Sequence, residues 1–173
     1  MVESEKAEGA GGTSGGGDRL YAYRVRGAGR SGVVLWAGGR GDEPDRVLTS
    51  AEAGRCRVPV FVTVRQARTY ARRRGWRPAA SEGGPLELVR VQRWLADPLR
   101  RRVPAGAVLE AWNFFEDLAR GLGAVHRLPR QGAVHDSAYE KLFAGECADW
   151  TPDERRAVLE LVAAGVELWD SSS

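Results

Sequence analysis

The residues of this 173-residue chain best suited to catalysis or metal binding are its two histidines and two cysteines. His126, His135 and Cys147 lie in one part of the sequence, and such side chains can bind a metal or act as bases and nucleophiles. None of them has the short spacing of a zinc site such as C-x-x-C. Cys147 lies beside Glu146 and Asp149, and neighbouring carboxylates raise the pKa of a thiol and so lower its reactivity. We therefore predict no metal, no cofactor and no catalytic residue.

A small enzyme with a loop site near His126 and His135 is kept as an alternative, for which the sequence indicates no substrate. A nucleotide site is not predicted either. The segment 27–32 matches G-x-G-x-x-G, but it lies between two predicted strands, whereas the dinucleotide motif must begin a helix. We predict that this segment is a hairpin turn.

The charged side chains, which could bind a partner, are distributed unevenly along the chain. The formal net charge is +3, yet residues 55–104 hold 13 arginines and three carboxylates, and residues 105–173 hold 6 basic and 12 acidic side chains. An arginine-rich segment with tryptophans can bind nucleic acid through phosphate contacts and stacking. The residues that would do so are Arg65, Arg68, Arg72, Arg73 and Trp76. We favour instead a solvated basic face, because so small a net charge attracts polyanions weakly.

An amphipathic helix over residues 105–122 is the element best able to position a binding surface. Its apolar side chains, including Trp112 and Phe115, recur at helical spacing and predict a face buried in the core. Trp112 is also our candidate neighbour for Gly165, a glycine on the apolar stripe of the last predicted helix.

The opposite side of this helix is acidic. Asn113, Glu116 and Asp117 are expected to face water, and such a ridge suits a basic partner protein. The competing interpretation is an ordinary solvated face on which Asp117 pairs with Arg120. The predicted partner-binding residues are Asn113, Glu116, Asp117, Tyr139, Lys141 and Glu146.

Capping signals define two further helices. Thr63 is followed three residues later by Gln66, and Thr151 by Glu154, which is the pattern of a capping box. The three predicted helices span residues 64–74, 105–122 and 152–169. The predicted strands span residues 20–26, 33–37, 46–50, 58–62 and 86–91. The first strand alternates and is expected to be half-buried. Residues 81–85 and 124–137 are expected to be irregular, and the pattern leaves the type of 138–143 open.

Together these elements predict an α+β fold, a small and mainly antiparallel sheet packed by three helices. Residues 19–173 are expected to form a single domain, preceded by a disordered Gly- and Ser-rich tail at 1–18. The sequence has neither a secretory signal nor an apolar run long enough for a membrane span, which predicts a cytoplasmic protein. In that compartment Cys56 and Cys147 are expected to be reduced thiols, although a disulfide between them is an open alternative.

Two short motifs carry a resemblance. The central helix reads W-N-x-x-x-D-x-A from Trp112 to Ala119, and Y-x-K-L-F follows from Tyr139 to Phe143. Over roughly residues 58–169 the chain resembles a family of small, uncharacterised bacterial proteins, although 144–146 departs from the Trp-Gly-Asn of that pattern. The layout is also similar to that of small immunity proteins, which block a toxin with an acidic surface. The resemblance implies a non-enzymatic protein-binding module, an immunity-type inhibitor whose partner is a basic toxin or effector.

Overall fold

The computed structural model describes residues 19–39, 41–52 and 54–172, so the predicted tail at 1–18 lies outside the described residues. The strands are β1 (Arg19–Arg26), β2 (Ser31–Gly38), β3 (Arg46–Val47), β4 (Ser50–Glu52), β5 (Arg55–Arg57) and β6 (Pro78–Leu86). The helices are α1 (Val64–Arg73), α2 (Leu88–Ala96), α3 (Ala105–Gly121), α4 (Ala133–Ala144) and α5 (Pro152–Ser171). The predicted α+β class is confirmed, with five α-helices in this part of the chain rather than three.

The main sheet has the strand order β3-β2-β1-β6. β1 and β2 form an antiparallel hairpin, and β2 pairs with β3 in the same sense. β6 joins the other edge of β1 in parallel, and β4 and β5 form a separate antiparallel pair. The predicted turn at 27–32 lies at this connection, which comprises residues 27–30, since β2 already begins at Ser31.

β1 is buried on both faces, so the predicted half-buried strand was wrong. Leu20 and Ala22 pack in a cluster with α1, whereas Tyr23 and Val25 belong to the larger core built around α3. Helices cover both sides of this sheet, and a strand in that position does not show the simple alternation of one wet face and one dry face.

α1 and α5 both begin with the predicted capping boxes. The Thr63 hydroxyl accepts a hydrogen bond from the Gln66 backbone N–H at 3.2 Å, and the Gln66 side chain accepts from the Thr63 N–H. Thr151 and Glu154 repeat the arrangement at α5, with the Glu154 carboxylate accepting from the Thr151 N–H at 2.7 Å. Each box satisfies two backbone donors that a helix start leaves unpaired.

α3 lies at the centre of the larger core. Trp112 and Phe115 are buried as predicted, and Phe114, which the periodicity left unassigned, is buried as well. Gly165 of α5 packs against Phe115 rather than against the predicted Trp112, and a Cβ at this glycine would overlap the Phe115 ring. α3 meets the sheet on one side and α4 and α5 on the other.

Two predicted segments have a different secondary structure from the one expected. Residues 81–85 belong to strand β6, where a Cβ on Gly83 would overlap the Tyr23 ring, so the glycine permits the close approach to β1. Residues 86–91 were predicted as a strand, but Leu88–Ala96 is helix α2, which buries Leu88, Val91 and Trp94 at helical spacing.

The remaining differences concern segments read as strand or loop. Residues 58–62 form no strand of their own, and Phe61 makes only an isolated bridge to Val33. Residues 124–137, predicted to be irregular, contain a 3-10 turn at Val125–Arg127 and the start of α4. The undetermined element at 138–143 is the remainder of that helix.

The C-terminal turn of α5 is tied to the hairpin between β1 and β2. Arg30 donates hydrogen bonds to the Trp169 carbonyl and the Ser172 hydroxyl, each at 2.8 Å, and to the Val58 carbonyl at 3.1 Å. Its guanidinium lies 4.2 Å from the centroid of the Trp169 ring. In the part of the chain described, no helix is both long and apolar enough to cross a membrane.

Candidate functional site

Asp117 is buried, contrary to the expectation that it faces solvent. Its residue surface is only 5% exposed, and the Arg120 guanidinium contacts its carboxylate at 2.8 Å. Burial raises the pKa of Asp117 from 3.8 to about 7, and Arg120 limits that rise. The prediction failed because α3 is packed on more than one side, so that a simple amphipathic pattern does not describe it. Charge reversal at Asp117 therefore tests stability rather than binding.

Glu116 is half-buried and held in place by three neighbours. Its carboxylate accepts a hydrogen bond from the Trp112 indole N–H at 3.1 Å and one from the Gln131 amide. The Arg120 guanidinium lies 3.6 Å from its other oxygen. The buried Trp112 and the half-buried Arg120 thus fix the direction of a carboxylate that is still partly open to solvent.

Asn113 and Tyr139, both predicted as partner-binding residues, lie next to each other on different helices. The Tyr139 hydroxyl donates to the Asn113 side-chain oxygen at 3.1 Å. The Tyr139 ring also meets the edge of Trp112, with a centroid separation of 5.3 Å. These contacts position the tyrosine at the interface of α3 and α4.

Lys141 takes part in a structural network between α4 and α5. Its ammonium group lies 2.8 Å from the carboxylate of Glu154, which also accepts from the Ser137 hydroxyl at 2.6 Å. The hydrogen bonds from Lys141 and Ser137 lower the pKa of Glu154 to about 2. Glu146, the last of the predicted partner-binding residues, is exposed just beyond Gly145, where α4 ends.

A cavity of about 430 Å³ lies between α3 and α4, and we call it the acidic groove. Three carboxylates line it, those of Glu116, Asp136 and Glu140. The other residues of its lining are Trp112, Asn113, Gln131, His135 and Tyr139. This lining can accept hydrogen bonds and favours a positively charged group, whose attraction to the carboxylates is strengthened in a partly enclosed site.

Sequence reasoning missed Asp136 and Glu140 as site residues. Asp136 was assigned to an irregular segment, so its helical spacing from Glu140 was not considered. Phe143 lies on the same side of α4, seven residues after Asp136, and is 75% exposed. An exposed aromatic side chain beside two carboxylates was therefore present in the sequence, but only the helix boundary reveals it.

The two histidines do not share a cavity. His135 lines the acidic groove, whereas His126 is exposed and lines a neighbouring cavity of about 680 Å³ with an apolar wall that includes Val125 and Leu128. Among the described residues there is no group of three or more His, Cys, Asp or Glu side chains placed to hold a metal ion. Burial raises the pKa of the Cys147 thiol, so this cysteine is a poor nucleophile. Both cysteines are free thiols.

The residues predicted to bind nucleic acid differ in their exposure and in their contacts. Arg65, Arg72 and Arg73 are exposed on α1. Arg68 instead donates to the Ala80 carbonyl and lies 4.0 Å from a carboxylate oxygen of Glu82. Trp76 is half-buried, with its ring 6.4 Å from that of Tyr70. This basic surface is separate from the acidic groove, because α1 and α3 pack on opposite faces of the main sheet.

Comparison of the chain with family models, with curated proteins and with solved structures gave no match.

Proposed function

We propose that this protein is a non-enzymatic binding module whose acidic groove receives a basic segment of a partner protein. The observation that carries the proposal is the convergence of Glu116, Asp136 and Glu140 on one cavity between two helices. A lysine or arginine side chain that enters the groove could contact more than one of these carboxylates, and such charge complementarity favours a basic partner.

The groove is held in its shape by bonds that reach into the core. Trp112 fixes Glu116, and Tyr139 bridges α4 to Asn113 on α3. A surface whose side chains are already ordered loses less conformational entropy when it binds. This advantage applies to Glu116 and Tyr139, while Asp136 and Glu140 are exposed on α4.

Phe143 supplies the apolar part of the proposed surface. Its ring is 75% exposed and lies on the side of α4 that carries Asp136 and Glu140. Exposed aromatic side chains are common anchors of protein interfaces, where a few residues supply most of the affinity. In this proposal the carboxylates speed the encounter with a basic partner and Phe143 slows its release.

The most specific form of the proposal is a cytoplasmic, immunity-type inhibitor that occludes a basic toxin or effector. Its support is the acidic character of the groove and the motif resemblance described above.

Relative to the predicted residues, the proposed set keeps Asn113, Glu116, Tyr139 and Glu146. It gains Asp136, Glu140 and Phe143. It loses Asp117 and Lys141, which the structure places in internal ion pairs.

The test is a differential capture experiment with three purified baits. The groove variant carries Asp136→Lys with Glu140→Lys. The control carries Glu160→Lys with Glu167→Lys, two exposed positions on α5 that give the same change of net charge away from the groove. Proteins from the native cell are captured on each bait and quantified by mass spectrometry, and thermal melts check that all three baits are folded.

We expect at least one protein to be recovered by the wild type and the control and to fall at least tenfold with the groove variant, which corresponds to about 1.4 kcal/mol. That protein should also be released by added salt, since its attachment depends on charge. Equal recovery on the groove variant and the control would overturn the proposal, because net charge alone would then explain capture.

A further inference from the structure

The outer side of α1 forms a second concave surface, which we call the basic groove. It is a cavity of about 590 Å³ between α1 and the preceding segment 60–62. The residues used below are Phe61, Arg65, Gln66, Tyr70, Arg73 and Arg74. Its volume is in the range of small-molecule sites in proteins.

The lining of the basic groove contains three arginines and no carboxylate. Within the described residues, neither Arg65 nor Arg73 forms a salt bridge, and both are exposed. Arg68 is different, because its guanidinium is engaged by Ala80 and Glu82 outside the groove. Arg65 and Arg73 are therefore the arginines of α1 that line this cavity.

Aromatic rings form the apolar part of the basic groove. The centroids of Phe61 and Tyr70 are 5.0 Å apart, and the Arg74 guanidinium lies 3.9 Å from the centroid of Tyr70. The backbone of Phe61 is anchored to β2, since its N–H and carbonyl both bond to Val33. A ring with a guanidinium stacked on it, beside unpaired arginines, is the combination with which proteins hold unpaired bases and their phosphates.

We propose that the basic groove binds single-stranded nucleic acid, with Arg65 and Arg73 on backbone phosphates and a base stacked on the Tyr70–Arg74 pair. A duplex presents no open base face to such a pair, so the rings would add nothing to its binding. An acidic peptide could use the arginines but would gain little from the stack. This site goes beyond the protein-binding function proposed above and lies on the other side of the main sheet.

The test measures fluorescence anisotropy of a labelled oligothymidine of about 15 nucleotides, a length that spans the site size of a single-strand binding surface. The groove variant carries Arg65→Glu with Arg73→Glu. The control carries Arg100→Glu with Arg102→Glu, two exposed arginines of the same basic segment that lie outside the groove. Far-UV circular dichroism and thermal melts establish that each variant is folded.

We expect the wild type to bind at low salt and the groove variant to lose at least tenfold in affinity, while the control loses less than threefold. Tyr70→Leu keeps the apolar bulk but removes the ring on which the Arg74 guanidinium lies, so it should weaken binding about fivefold through loss of the stacking pair. A duplex of equal length should bind more weakly than the single strand, and a polyglutamate peptide should compete poorly.

Several results would overturn the proposal. These are equal losses in the two charge-reversed variants, equal affinity for duplex and single strand, or competition by polyglutamate as strong as that by unlabelled oligothymidine. Equal losses in the two variants would mean that binding depends only on the overall charge of the protein. Strong competition by polyglutamate would indicate a protein partner at this groove. If the Glu variant unfolds, Arg65→Gln with Arg73→Gln repeats the comparison without charge reversal. A loss below threefold in that pair would also reject the site.

Discussion

The acidic groove and the basic groove are built in different ways. In the acidic groove, Glu116 and Tyr139 are bonded to Trp112 and Asn113 of α3, which runs through the larger core. The basic groove lies on α1, a helix that buries only two alanines, and two of its arginines extend into solvent without an ion-pair partner in the described chain. Core contacts thus fix Glu116 in the acidic groove, whereas Arg65 and Arg73 of the basic groove are placed by helical spacing alone.

This difference has a consequence for mutagenesis. Substitutions near the acidic groove should alter stability and binding together wherever they reach the core, whereas substitutions in the basic groove should separate the two. Four changes test this contrast, and their expected effects on stability decrease in order.

The largest effect is expected for Asp117→Lys. The change buries an ammonium group beside Arg120, at a residue that is only 5% exposed in the native protein. Introducing an unpaired charge at such a site costs about 3–5 kcal/mol in free energy of unfolding. Urea denaturation would measure it. Glu140→Lys on the exposed side of α4 is the control and should change stability by less than about 0.5 kcal/mol. Similar values for the two variants would contradict the burial of Asp117 next to the acidic groove.

The next effect concerns the pH dependence that Asp117 imposes. The pKa of Asp117 is 3.8 in the unfolded chain and about 7 in the folded protein. At a pH between these two values, the folded state retains a proton that the unfolded chain has lost. Stability should therefore fall as pH rises through this window, by at most about 1.4 kcal/mol per pH unit, and level off above it. Asp117→Asn should remove this slope. Denaturation series from about pH 5 to pH 8 on both proteins supply the difference, and parallel curves would contradict the assignment.

A smaller effect is expected for Thr63→Ala at the start of α1. The change removes the side chain that accepts the Gln66 N–H, and loss of an N-cap of this kind costs about 1 kcal/mol. Since α1 buries little, we expect amide exchange in its first turn to accelerate more than exchange in α3. Uniform acceleration throughout the protein would show that α1 unfolds only with the whole domain.

The smallest effect is expected for Arg65→Gln with Arg73→Gln. Both side chains are exposed and have no salt bridge in the described residues, so thermal and urea denaturation should change by less than about 0.5 kcal/mol. A clearly larger loss would show that the two arginines stabilise α1, and the contrast between the grooves would then be weaker than the structure indicates.

Local signals in the sequence predicted the starts of α1 and α5. The capping boxes at Thr63 and Thr151 specify where α1 and α5 begin, because they depend only on residues three apart. β6 could not be found in this way, since its glycine-rich segment 81–85 has no strand pattern and is stabilised by pairing with β1. The α+β class followed from the surrounding elements even though this segment was misassigned.

The candidate site shows the same limit. The acidic character of α3 was visible in the sequence, but the burial of Asp117 and Phe114 depends on packing from more than one side of that helix. Asp136 and Glu140 have the helical spacing of a shared surface, yet the spacing has meaning only once α4 is known to begin at Ala133. The elements packed against a helix decide which of its polar residues are accessible, and these elements are distant in sequence.

The hydrogen bonds donated by Arg30 connect the β1–β2 hairpin to the C-terminal end of α5. Burial lowers the pKa of this guanidinium but leaves it charged, and its hydrogen-bond acceptors lie in the last turn of α5 and at Val58. Proteolytic removal of that last turn would leave the Arg30 guanidinium without two of its hydrogen-bond acceptors. It would also remove the Ser172 carbonyl, which accepts a hydrogen bond from the Val58 N–H. Trimming would therefore also remove contacts that hold the β1–β2 hairpin, which lies more than a hundred residues away along the chain.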